Sequence, residues 1–546
     1  MNCKIFKKIL CWALFLTFVL ATLLFFNGCK KSKFKNLISY SFFNNVKNLD
    51  PQTASEPEEL TVIGNIFEGL YKKSLNEGYE LGVAKNLEIK NNKTYIFTLK
   101  NNVFWRNLKD GESKVKVTAN DFVFAFKRLI SKKTNSPFAS NYFFIKNAKK
   151  IHEQKADLNS LGIYANNNNQ LILELEHSVP NLEELLAATP AMPCNEKFFK
   201  STDGRYGTTK EHISCNGPFF LNAWQVENSL TKRIKIRAND EYHLKDNVKI
   251  VGVNFTTRSP EEAFNLFKNK EINTAILNSS QFNILDKNNF NNTPFQNKVV
   301  GLIFNQETPI FTDNSFRTAL AYSVNREKIT NKLELNQNIA TGLIPNSITI
   351  AGQSYNKLKP NVNLCPIYNP STAKKLINIA KKNIDEKDYN LNKYSILVNG
   401  TATQALNNML QKWQKNLKLF LKVEEEENEK YFNRLKNGQF DLALVSIDNK
   451  FNTPNSILSA FTPNSKNNYA KYNVEALNKL LIAANTKTNL QEIVKNYSQA
   501  EYIICQQALF IPIAFETEYL AINKNIKNII FNPANKQFYY AYCQSE

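Results

Sequence analysis

Four consecutive residues, Asp448, Asn449, Lys450 and Phe451, set a carboxylate, an amide, an ammonium and an aromatic ring side by side. They follow an almost unbroken apolar run over 440–447, FDLALVSI, the pattern of a strand buried on both faces. An α/β protein places ligand contacts where such a strand ends in a polar, ring-bearing turn, so this end reads as a binding wall. Asp448 and Lys450 are two residues apart, which puts them on one face of an extended chain. An acid there attracts an ammonium, whereas a lysine repels it and attracts a carboxylate or another anion. Both readings stay open.

Other residues with chemistry to offer do not assemble into a reaction centre. His152, His177, His212 and His243 are the four histidines. His212 and Cys215 have the spacing of half a metal site, but no second pair accompanies them. There is no Gly-x-Ser-x-Gly elbow and no phosphate loop ending in Gly-Lys-Ser/Thr. The glutamates at 424–427 read as a strand running out into solvent. Residues 286–292 lack the glycine and terminal glutamate of a calcium loop. Catalysis, a cofactor and a bound metal are therefore not expected.

The elements around the wall belong to a large folded chain. It has 546 residues, 43% of them hydrophobic, with 16 Gly and 18 Pro, which suits two or three lobes and excludes a fibrous or disordered protein. The net charge of +21 comes from Lys spread through nearly every segment alongside Asn, without basic clusters or nucleic-acid motifs, so nucleic-acid binding is not expected. Residues 1–28 read as a signal peptide: Lys4, Lys7 and Lys8 precede an apolar run over 9–26 that ends at Asn27-Gly28. Cys29 follows, and 29–35 read as a polar tether. Among the later cysteines, Cys194 and Cys215 are close enough in sequence to be a candidate disulfide outside the cytoplasm, whereas the pairing of Cys365, Cys505 and Cys543 is open.

Along the chain, 38–43 reads as a strand and 61–71 as a helix with Ile63, Ile66, Phe67 and Leu70 on one face. Alternation over 95–100 marks a half-buried strand. Thr118 and Asp121 form a capping box for a helix with Phe122, Ala125, Phe126 and Leu129 as its stripe. The ordered set LDPQ, FEGLY, YIFTLKNNVFW, VTANDFVFAFKRLI and SPFAS resembles the solute-binding proteins of peptide-type ABC importers, the oligopeptide-binding family. Pro190-Ala191, Cys215-Asn-Gly-Pro-Phe219, Arg317 and Arg326, Asn369-Pro370 and Ile511-Pro512 continue the order toward the C-terminus.

The resemblance implies an α/β fold of the type II periplasmic-binding-protein kind: two main lobes with a hinge, plus an inserted third lobe. Lobe I would hold 36–67, 190–300 and 516–546, lobe II 68–189, and lobe III 301–515. It implies a monomer that binds an oligopeptide and passes it to importer permease subunits. Gly28-Cys29 resembles a lipobox, which implies lipidation of Cys29 and an anchored protein at the extracytoplasmic face. Matching positions offer Ser55, Glu56, Pro57, Phe138, Asn141, Tyr142, Asn278, Asp448, Asn449, Lys450, Phe451 and Phe515 as ligand contacts. Lys450 falls where known members present an acid to the peptide amine. The departure keeps other readings in play: a non-transport receptor or adhesin on the same scaffold, or a non-peptide or anionic ligand.

Overall fold

The computed structural model describes residues 36–76, 78–106, 114–179, 182–228, 230–330, 338–449, 452–463, 465–487 and 489–546. Its centre is a mixed sheet whose strands are β1 (Leu37–Phe42), β2 (Phe219–Glu227), β3 (Leu230–Ala238), β4 (Gly252–Thr257), β5 (Thr274–Leu277), β6 (Phe290–Phe304), β7 (Ser395–Asn399), β8 (Lys422–Glu426), β9 (Leu442–Asp448) and β10 (Phe510–Asn523). They pair in the order β2-β3-β4-β1-β5-β10-β6-β9-β7-β8, and the short strand Asn338–Ile339 adds to β10. A second, four-stranded sheet is built from 84–174.

Two long antiparallel strands, β6 and β10, join the halves of the large sheet. Buried side chains divide along them. One group runs from Ile38 through Phe295 and Leu520 to Cys543, and it also takes in Ala84, Phe97 and Leu173 of the small sheet. Two further groups share the interior of the other half, from Val299 to Phe515, one of them reaching Ala534. The segment expected as a separate inserted lobe thus shares a core with the first group.

Local chemistry explains the element ends. The expected strand over 38–43 is β1, and the alternating strand is Thr94–Leu99. Thr118 and Asp121 exchange both hydrogen bonds of the capping box that starts the helix Ala119–Ile130. The helix expected over 61–71 instead runs from Pro57 to Ile66. Glu56 and Glu59 cap it early, Pro57 occupies its first turn, and the chain turns extended at Phe67. The Glu424–Glu426 carboxylates lie on edge strand β8, where Arg434 bonds Glu424 at 2.5 Å and Glu426 at 3.0 Å.

The apolar run that opened the reading is β9, but only its first four residues are well covered; Ser446 and Asp448 are exposed. The expected Cys194–Cys215 pairing is overturned: the two free thiols lie in different core groups. Cys194 packs with Ala125 and Tyr206 beside Arg128, whereas Cys215 belongs to the other core and bridges Arg106. Proximity in sequence did not bring them together.

Candidate ligand-binding site

The wall at the end of β9 faces a cavity of about 300 Å³. The loop before the helix Pro57–Ile66, hereafter α1, forms one side through Ser55, Glu56 and Pro57. Asn297 and Lys298 of β6, Asp448 and Asn449 form the other, and Asn535 and Lys536 close an end. Lining residues thus come from both sides of the division in the core.

Buried carboxylates fasten the α1 side. Glu58 Oε1 accepts hydrogen bonds from the backbone N and side-chain Nδ2 of Asn44, each at 3.1 Å. Glu59 Oε1 accepts from the backbone N of Lys47 and of Asn48, at 3.1 and 3.0 Å. Burial raises the Glu59 pKa even though four backbone N–H groups pull it down.

The opposite side is shaped by a bulge. Phe295 pairs with Glu518 and Lys298 with Glu516, so Gln296 and Asn297 together oppose the single residue Thr517. The bulge brings Asn297 beside Asn449, whose backbone N donates to the Asn297 carbonyl at 2.9 Å. Both side chains are almost fully covered, at 2% and 3% exposure. Yet Asn297 Oδ1 and both polar atoms of the Asn449 amide lack a hydrogen-bond partner among the described residues. A buried polar group without a partner costs about 1–3 kcal/mol.

Charge along the wall is largely paired. Lys298 Nζ lies 3.7 Å from Glu516, and Lys536 Nζ lies 2.5 Å from Glu518. Burial pulls the Lys298 pKa down, but the carboxylates of Glu518, Asp448 and Glu516 outweigh it and leave the group above its ordinary value. Asp448 stands at the exposed end of β9, opposite Lys298 in register.

Asp448 also lines a separate cavity of about 380 Å³, walled by Tyr431, Phe432, Phe461 and Tyr469. A smaller cavity of about 80 Å³ holds Phe138 and Asn141, with Asn535 shared between it and the main one. The remaining sequence candidates lie apart from these cavities. Tyr142 is a core residue, 1% exposed, whose hydroxyl donates to the Leu185 carbonyl at 2.9 Å. Asn278 caps the short helix Ser279–Asn283 by accepting from Gln281 N at 2.9 Å. Phe515 is buried within β10, paired to Val299 and Asn338. Lys450, Phe451 and Cys29 lie outside the described residues.

The sequence reading missed Asn297, Lys298, Asn535 and Lys536. A signal for the first two existed: Gln-Asn-Lys stands just before the apolar run 299–304, as Asp-Asn stands just after the run 442–447. Antiparallel pairing of those runs puts the two polar ends together.

The model of the bacterial extracellular solute-binding proteins, family 5 (middle), matches residues 78–469. The chain belongs to this family. It is thus a substrate-binding component of the ABC-importer class and not an enzyme. This solute-binding protein is 26% identical over 529 residues to the dipeptide-binding protein of Lactococcus lactis subsp. cremoris (strain MG1363), with 92% of this chain and 93% of the relative covered. It is also 26% identical over 531 residues to the oligopeptide-binding protein OppA of Bacillus subtilis (strain 168), with 94% and 93% covered. A solved structure of the pheromone receptor PrgZ superposes with a TM-score of 0.75 at 24% identity, covering 94% of this chain and 99% of that one. That likeness establishes the fold, the type II periplasmic-binding-protein kind.

Proposed function

We propose that this solute-binding protein captures oligopeptides in a cleft between two lobes and delivers them to a membrane ABC importer. The observation that carries the reading is that Asn297 Oδ1 and the Asn449 amide, buried beside the cavity and next to Asp448, have no hydrogen-bond partner among the described residues. A peptide main chain offers both N–H and C=O groups, so it can satisfy amides of either polarity without regard to sequence. Asp448 then receives the peptide's amino end. Lys298 and Lys536 are already matched by Glu516 and Glu518, which favours an ammonium over an anion at this wall. Relatives named for dipeptide and oligopeptide binding, aligned over nine-tenths of both chains, support the same ligand class.

In this reading lobe I takes 36–67, 190–300 and 516–546, lobe II 68–189 and lobe III 301–515. The crossings in β6 and β10 are the hinge, in keeping with the division of buried side chains there. The protein acts as a monomer, tethered at the extracytoplasmic face through a lipid on Cys29. Native mass spectrometry of the purified protein tests the ligand class. A co-purifying mixture of short peptides supports it, and a single non-peptide ligand contradicts it.

A further inference from the structure

Two of the cysteines meet in the interior. Cys365 Sγ and Cys505 Sγ are 3.8 Å apart, and both residues are buried, at 2% and 1% exposure. Cys505 lies near the C-terminal end of the helix Leu490–Gln506, just before the chain enters β10. Cys365 follows a segment pinned to that helix, for Gln506 Nε2 donates to the Leu364 carbonyl at 2.9 Å. Arg326 Nη1 holds the next carbonyl but one, Pro366 O, at 2.8 Å. Gln506 thus holds the Cys365 segment against the helix and Arg326 fixes its other side, through bonds that do not involve sulfur.

The other described cysteines are placed differently. Cys194, Cys215 and Cys543 are each buried, and burial pushes each thiol up to about 12. Cys365 and Cys505 are the one pair in sulfur–sulfur contact among the described residues. Their two thiols are also unequal. The hydrogen bond with Cys505, chiefly, holds the Cys365 thiol below its ordinary range, whereas burial drives Cys505 upward.

Cys365 and Cys505 are both free thiols in this structure, in contact and not bonded, and we propose that they are joined by a disulfide in the mature protein. The family is extracellular, and disulfides persist in that compartment. The oxidant is the disulfide of an envelope thiol–disulfide oxidoreductase, which meets these thiols during folding, before they are covered. The thiolate of one of the two cysteines attacks the donor disulfide, breaking its S–S bond and releasing one donor thiol. The other cysteine, losing its proton, then displaces the second donor sulfur. One S–S bond forms in the protein, one breaks in the donor, and two electrons and two protons leave with the two donor thiols. Both cysteines belong to the same core group, so the bond does not span the proposed hinge and leaves lobe closure free. It closes a loop spanning 140 residues, a long constraint on the unfolded chain.

Peptide mapping of full-length protein isolated from the cell envelope tests this. The protein is alkylated under denaturing conditions without reductant and then digested with trypsin. The tryptic peptides 358–374 and 496–524 should appear as one linked species, two hydrogens lighter than their sum, that vanishes on reduction. Finding both cysteines alkylated before reduction overturns the proposal. Independently, the Cys365→Ala/Cys505→Ala variant should melt on the order of 5 °C below the unreduced parent and level with the reduced parent. Its peptide affinity should be unchanged. Equal melting of variant and unreduced parent also overturns the proposal, whatever the ligand proves to be.

Discussion

Lys298 and Asp448 stand opposite each other across β6 and β9, where both strands reach the main cavity. Each follows from where an apolar run meets a polar end, and the antiparallel register brings the two ends together. The pairing puts a cation at the base of the wall and leaves the acid at its exposed edge.

The Lys298 ammonium is raised because neighbouring carboxylates outweigh its burial. A raised folded-state value means that its stabilising effect is fully present below the ordinary lysine pKa of about 10.4 and is lost as pH climbs through the raised value. Melting between about pH 6 and pH 9 should therefore be insensitive to this group. Lys298→Met should cost about 1 kcal/mol at neutral pH, a modest figure because Glu516 is one-third exposed and solvent screens the pair. Denaturant titration at neutral and at alkaline pH reads both effects, and the difference between variant and parent should shrink at the alkaline end.

Asn449 separates binding from stability. Asn449→Leu removes a buried amide whose polar atoms have no partner among the described residues. Stability of the free protein should hold or rise by up to about 1 kcal/mol, while peptide affinity should fall about tenfold. Thermal melting and calorimetry on the same preparation check the two directions. A loss of both stability and affinity would mean that the amide is paired.

Asp50 and Arg128 form an ion pair with side chains 8% and 10% exposed. The Arg128 guanidinium also donates to Gln52 Oε1 at 2.6 Å and lies over the Phe199 ring at 4.1 Å. Asp50→Ala would strand a buried cation, at a cost of about 3 kcal/mol. Urea unfolding should show this as an earlier midpoint, with little change in peptide affinity because neither residue lines the main cavity.

Much of this arrangement was legible in the sequence where one local rule decides it. Thr118 and Asp121 announced a helix start, and the run before Asp448 announced a strand. Ser55, Glu56, Pro57, Asp448 and Asn449 do line one cavity. Failures came where distant segments decide. Tyr142 looked like a cleft residue because of its neighbours, yet Phe126 and Phe144 enclose its ring. Asn297 owes its position to a bulge opposite Thr517, more than two hundred residues away, which no local pattern encodes. Cys365 and Cys505 meet for the same reason.

The account centres on Asp448 as the partner of a peptide's amino end. The most direct measurement is calorimetric titration of one short peptide, with a free and with an acetylated N-terminus, into the parent protein and Asp448→Asn. The account predicts that the parent prefers the free amine by about tenfold or more and that the variant loses most of this preference, since a charge-assisted contact is worth about 1.5–3 kcal/mol. Equal affinity of the parent for both peptides, or a preference that survives in Asp448→Asn, would contradict it.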